Sequence, residues 1–268
     1  MSGDGRTLAP LGRRRLEVSA RREVGAYVVL EAPDPEGPAP DPGQFYMLAA
    51  AQGWGGDEGR PFLPRAFSVL RAPGGTLQFL LEAVGPGTER LAALAPGDGL
   101  WVLGPLGMGF RAPRDGRTAL LCGGGVGVAP LAIWQDALLA AALPAPALLG
   151  FRDAAHAQGA GLLANARLAT DDGSAGHHGL VTELVEAELD ARPRAELYAC
   201  GPPAMLEAVR VLAQRRDVPA QLALESGMAC GFGACYGCVV PTREGGYVRL
   251  CVDGPVLDAG ALAEVPAH

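Results

Sequence analysis

A chain of 268 residues with 49% apolar content is long enough to bury two compact units and a small appendage. Net charge is −7 and all 22 basic residues are Arg, which excludes Schiff-base and P-loop lysine chemistry and offers no basic face for nucleic acid. The N-terminus lacks the apolar core of a secretory signal and no apolar run reaches membrane-span length, so the expectation is a cytoplasmic protein without membrane or nucleic-acid partners.

Arg13, Arg14, Arg15, Arg21 and Arg22 alternate with Leu16, Val18, Val24 and Tyr27, which reads as an early strand with a solvated face. Short apolar runs at 27–30, 45–49, 67–70, 77–81 and 100–103, separated by Gly and Pro clusters, predict an all-β unit over residues 1–112, folded as a small β-barrel. The prolines between Pro33 and Pro42 and the glycine-rich stretch 53–59 are loops of that unit. Arg65, Ala66, Phe67 and Ser68 combine a cation, an aromatic face and a hydroxyl on one strand. Alternation puts Arg65 and Phe67 on one side, able to meet the phosphate and ring of a bulky cofactor, although any amphipathic strand has the same pattern. Gly85-Pro86-Gly87-Thr88 offers N–H groups and a hydroxyl to a pyrophosphate, or equally makes a hairpin turn.

Over residues 113–222 the rhythm becomes α/β. Strands at 118–122, 147–151 and 196–200 alternate with helices at 129–142, 180–189 and 205–216, with Thr182 near the start of the second helix. This implies a parallel sheet with a ligand crevice beyond the carboxyl ends of its strands. Gly123, Gly124, Gly125 and Gly127 follow a strand and open a helix, which suits backbone approach to a pyrophosphate. Val128 stands where the third fingerprint glycine would be, so a tight strand-to-helix turn remains an alternative. Cys200, Gly201 and Pro202 form a second turn at the crevice mouth. Core packing is the default for Cys122 and Cys200, with Cys200 the better ligand candidate. At the end of the second strand Asp153 could accept from a ribose hydroxyl and Arg152 could meet a phosphate. His156, His177, His178 and His268 read as surface residues, which leaves no substrate-oxidising base and no catalytic residue of that kind.

Residues 223–268 abandon the α/β rhythm. Cys230-x4-Cys235-x2-Cys238 followed by Cys251 is the plant-type ferredoxin spacing, in which three thiolates of one loop and a later fourth hold a [2Fe-2S] cluster. Gly231, Gly233, Ala234 and Gly237 let such a loop wrap tightly and turn N–H groups toward sulfur. Zinc is the chemical rival, but zinc loops usually supply thiolates as two short-spaced pairs; a Rieske centre needs two His ligands, and none lies in this loop.

Taken in order, segments 63–69, 104–110, 122–131, 199–202, 228–238 and 251–256 resemble the electron-transfer subunits of NAD-linked dihydroorotate dehydrogenase, in the ferredoxin reductase superfamily. The resemblance runs from about Leu16 to Leu262. It implies an FAD-binding β-barrel, an NAD-binding α/β domain and a small [2Fe-2S] subdomain, with FAD held by Arg65, Ala66, Phe67, Ser68, Leu80, Leu81, Glu82, Gly87 and Thr88. It implies that Gly123, Gly124, Gly125, Gly127, Cys200, Gly201 and Pro202 hold the nicotinamide nucleotide, and Cys230, Cys235, Cys238 and Cys251 the cluster. The catalytic partner is then an FMN-containing dihydroorotate-oxidising subunit, in a heterotetramer of two plus two, with electrons passing through cluster and FAD to NAD+ in pyrimidine biosynthesis. A reductase subunit of a hydrogenase or ferredoxin–NADP complex and a redox-sensing flavoprotein are the alternatives. The sequence departs from the family at Ala66, where Pro is usual, at Met108, where Asn is common, and in a longer loop before the flavin motif.

Overall fold

The computed structural model describes residues 12–55 and 60–266; His268 and part of the 53–59 stretch lie outside them. The first unit comprises β1 (Arg14–Glu17), β2 (Ala20–Val24), β3 (Tyr27–Pro33), β4 (Phe45–Ala50), β5 (Arg65–Arg71), β6 (Thr76–Glu82), α1 (Pro86–Ala92) and β7 (Gly99–Leu106). Its strands form an antiparallel seven-stranded sheet in the order β1-β7-β4-β5-β6-β3-β2. β1 and β2 end that order on opposite sides, yet only Val18 and Ser19 join them. The Val18 N–H donates to Asp98 O and the Ser19 N–H to Glu31 O, one residue serving each side. Two residues reach roughly 7 Å, about one and a half inter-strand spacings. The sheet therefore has to curl on itself, and Leu30, Tyr46, Leu48, Phe79, Leu81 and Val102 fill its interior.

The single early strand expected from the sequence is thus two strands broken at Val18 and Ser19. Its arginines are engaged in structure: Arg14 pairs with buried Asp34 at 2.6 Å, Arg21 donates to Ala92 O, and Arg13 lies over the Trp101 ring.

The second unit comprises β8 (Thr118–Gly124), α2 (Val128–Ala140), β9 (Ala147–Phe151), α3 (Ala154–Ala157), β10 (Arg167–Thr170), β11 (His177–His178), α4 (Val181–Ala191), β12 (Ala195–Cys200), α5 (Pro203–Arg215) and β13 (Ala220–Ala223). The chain then forms the hairpin β14 (Val239–Pro241) and β15 (Tyr247–Arg249), and finally β16 (Val256–Asp258). The second sheet runs β11-β10-β9-β8-β12-β13-β16, parallel except for β16. Strand order reverses between β8 and β12, which is where a doubly wound sheet opens its ligand crevice. Every residue of β12 is buried, as a central parallel strand covered on both faces requires. α4 begins at Val181, and its first turn is closed by the Glu183 carboxylate accepting from the Leu180 N–H at 3.3 Å rather than by Thr182.

The position expected as a boundary, 222/223, falls inside β13, and β16 returns from the cysteine segment to pair with β13. Cys238, Val240, Leu250 and Cys251 share one core with Phe45 and Met47 of β4 and with Leu222 and Leu224, so the C-terminal segment is wedged between barrel and sheet. Among the described residues, no helix is long and apolar enough to cross a membrane.

Candidate functional site

A cleft of about 610 Å³ opens where barrel, sheet and cysteine segment meet. Its walls include Phe45, Leu80 and Glu82 from the barrel, Val126 and Ala129 from the turn into α2, and residues 224–229. The size and mostly apolar lining suit an organic cofactor. Within it the Ser226 hydroxyl is buried without a hydrogen-bond partner, the kind of orphan that the polar edge of a bound ring system satisfies. These residues fit a flavin.

All four residues Arg65 to Ser68 line the cleft, not only the two on one face of β5. Arg65 Nη1 donates to Leu63 O at 2.6 Å, and its guanidinium lies 5.9 Å from the Trp54 ring. Gly87 is absent from the lining; it supplies space, because a Cβ there would stand 2.6 Å from Arg65 Nε. Thr88 lines the cleft, but its hydroxyl accepts from the Val84 and Gly85 N–H groups at 2.9 and 3.1 Å and donates to Gly85 O at 3.0 Å. The 85–88 segment is the start of α1, not a hairpin turn. Leu81 points into the barrel core while its neighbours Leu80 and Glu82 face the cleft, as strand alternation dictates. Sequence reasoning missed the wall at 224–229; the only signal was its place directly before the first cysteine.

That wall runs through Ala229 into Cys230. The four thiols lie close enough to act on one another. Cys238 Sγ lies 3.2 Å from Cys251 Sγ, and the Cys235 thiol hydrogen-bonds Cys230. Burial raises the Cys230 thiol, but N–H groups of Cys235, Phe232 and Ala234 and that thiol bond outweigh it and bring it down to about 7. At Cys251 burial, followed by the Cys238 thiol, pushes the value up to about 12. A [2Fe-2S] cluster takes two thiolates on each iron, whereas one zinc ion gathers four around a point. The donor set fits the cluster. Gly231 makes the close docking possible: it adopts φ +79°, and a Cβ there would meet Met47 Cγ at 2.5 Å, so the loop presses directly on β4.

A second pocket of about 380 Å³ lies beside the strand-order reversal. Gly124, Gly125 and Pro202 line it, with Arg152, Asp171 and Met205. Gly127, Cys200 and Gly201 do not line it but pack directly behind the turns that do, and Gly123 packs against Leu149 and Leu131. A Cβ on Gly127 would press into the Cys200 carbonyl and stand 2.6 Å from Gly201 N, so the two glycine turns touch backbone to backbone. Cys200 is buried, and burial followed by the charge of Glu225 holds its thiol well above 9, which makes it a core residue rather than a nucleophile.

His156, expected at the surface, is buried. The short α3 turns it inward: its N–H donates to the Asp153 carboxylate at 3.0 Å, its Nδ1 lies 2.7 Å from the same oxygen, and its ring meets Tyr27 edge-on at 5.6 Å. Arg152 donates to Glu82 at 2.7 Å and contacts the His156 ring.

Residues 225–263 match the iron-sulfur cluster binding domain of dihydroorotate dehydrogenase B. The chain is 38% identical to the dihydroorotate dehydrogenase B (NAD(+)) electron transfer subunit of Geobacillus kaustophilus, over 94% of this chain and 99% of the relative. It is 36% identical to the subunit of the same name from Desulforamulus reducens, over 86% and 89%. Among solved structures, the NADH-dependent reduced ferredoxin–NADP oxidoreductase superposes with a TM-score of 0.80 at 24% identity, covering 95% of this chain and 91% of that one. The ferredoxin reductase of carbazole 1,9a-dioxygenase gives 0.65 at 25% identity, covering 77% and 66%. Both share the fold.

Proposed function

The chain belongs to the electron-transfer subunits of dihydroorotate dehydrogenase B (NAD(+)), and from that premise we infer that it carries electrons from the FMN of a dihydroorotate-oxidising partner, through a [2Fe-2S] cluster and FAD, to NAD+ in pyrimidine biosynthesis. One observation carries the reading: the wall of the larger cleft continues through Ala229 into the first cluster cysteine, and Glu82 belongs to both pockets. Bound FAD supplies the exchange between the two electrons of a hydride and the single electrons an iron–sulfur cluster accepts.

The residues divide that work. Arg65 offers the cation for the FAD diphosphate, and Ser68 with the orphan hydroxyl of Ser226 offers polar contacts to the flavin. Phe45 and Leu80 exclude water from the cleft. Gly124, Gly125 and Pro202 border the path of the nucleotide pyrophosphate, over turns shaped by Gly123, Gly127, Cys200 and Gly201. Cys230, Cys235, Cys238 and Cys251 hold iron. In this division residues 1–112 hold FAD, 113–222 hold the nucleotide and 223–268 hold the cluster, with β16 tying the last to the second. The complex is a cytoplasmic heterotetramer of two plus two.

The test is reconstitution. The loaded chain mixed with an FMN-containing dihydroorotate-oxidising subunit is expected to give dihydroorotate-dependent NAD+ reduction that neither part gives alone, in a complex whose mass fits two plus two. A partner that oxidises dihydroorotate but passes no electrons to NAD+ through this chain would contradict the reading.

A further inference from the structure

The second pocket contains information about which nicotinamide nucleotide it accepts. Among the described residues Arg152 is the only arginine on its walls, and Glu82 and Asp171 are its carboxylates. Arg152 is already engaged: its Nη2 donates to Glu82 at 2.7 Å, its Nε lies 3.3 Å from His156 Nδ1, and Asp153 lies within 3.8 Å. Asp153, the residue whose place at the end of β9 suits a ribose contact, does not line the pocket; its carboxylate is occupied by the His156 N–H and ring. Asp171, one residue beyond β10, does line it, and its carboxylate makes no hydrogen bond or ion pair among the described residues. Its backbone N–H donates to Phe151 O at 3.0 Å, which fixes it beside the end of β9.

The barrel contributes the opposite wall. Tyr27 and Glu82 are cross-strand partners on β3 and β6 and both line the pocket. The Tyr27 side chain is buried, yet its hydroxyl has no partner, which marks a polar contact left for a ligand.

We propose that Asp171 takes the adenosine-ribose hydroxyls of the nucleotide, and that Glu82, by occupying Arg152, withholds the cation a 2′-phosphate would need, so that NAD is selected over NADP from the barrel side. The inference rests on the reading of this pocket as the nicotinamide-nucleotide site. A ribose hydroxyl donates to a carboxylate, whereas a 2′-phosphate meets two carboxylates and a cation that is already paired.

Calorimetry on the FAD- and cluster-loaded chain, with 5′-AMP and 2′,5′-ADP as probes, tests it without relying on turnover. The wild type binds 5′-AMP more tightly by at least about tenfold, Asp171→Asn and Glu82→Gln each narrow that preference by about tenfold, and adding Arg152→Ala to Glu82→Gln restores it. Asp171 lies away from the flavin cleft, so its variant keeps the test decisive if Glu82→Gln loses FAD, which absorbance of the bound flavin reports. A preference unchanged in Asp171→Asn and in any flavin-loaded Glu82→Gln, with 5′-AMP binding intact, overturns the inference alone. A loaded wild-type chain that binds neither probe overturns the nucleotide reading as well.

Discussion

The cluster loop and the nucleotide pocket are built in opposite ways. The four thiols lie between positions 230 and 251 and reach one another through a single loop and one short hairpin, so their spacing alone specifies the chemistry. The pocket gathers Tyr27, Glu82, Arg152 and Asp171 from the barrel and from two separate strand ends. Its chemistry exists only after both units have folded and docked. A locally encoded site is expected to fail one ligand at a time, and a tertiary site to fail through its supports.

The largest effect should come from the local site. Cys238→Ser removes one of a buried sulfur pair and leaves Cys251 without its neighbour 3.2 Å away. Iron and acid-labile sulfide are expected to fall to near zero while bound FAD, read at its visible absorbance, persists. Loss of both together would erase the distinction between the regions.

The tertiary site is best broken from beneath. Gly127→Val drives a side chain into the Cys200 carbonyl and the Gly201 backbone, and overpacking of this kind costs about 1–3 kcal/mol. Binding of 5′-AMP should weaken more than tenfold and the denaturation midpoint should drop, with iron content unchanged in the folded fraction. Unchanged affinity would mean that contact between the two turns does not shape the pocket.

A smaller effect should follow from Asp153. His156, through its side chain and its N–H, holds the Asp153 carboxyl below its ordinary value of 3.8. Since the folded form is the more acidic, the ionised carboxylate contributes stability above pH 3.8, and that contribution is lost as pH falls below it. Asp153→Asn should lower the Tm slightly near neutrality, and the gap to wild type should close as the pH falls below that value. A gap of constant size down to pH 2 would show that the charge of Asp153 is irrelevant.

The same contrast explains how much could be read in advance. The barrel strands and the α/β alternation were legible because apolar runs of strand length and helical periodicity survive in a single sequence, and the cysteines because ligand spacing is local. β13 was not, because Gln221 looks like a loop residue until its amide is seen bonded to Glu196 and to Arg111 O. His156 looked like a surface residue until Asp153 and Tyr27 enclosed it. Residues 224–229 form a wall without any periodic signal, since an extended segment that meets a ligand side-on has none. The Met108 departure is accommodated because that position acts through its backbone, donating to Gly254 O at 2.5 Å, and Ala66 lines the cleft in register with Met47.

Anaerobic isolation followed by iron, acid-labile sulfide, zinc and flavin analysis tests the pairing of cleft and cysteine loop most directly. One FAD and one [2Fe-2S] cluster per chain, with no zinc, is the predicted result. Stoichiometric zinc without sulfide, or a chain saturated with FAD that holds no iron, would contradict it.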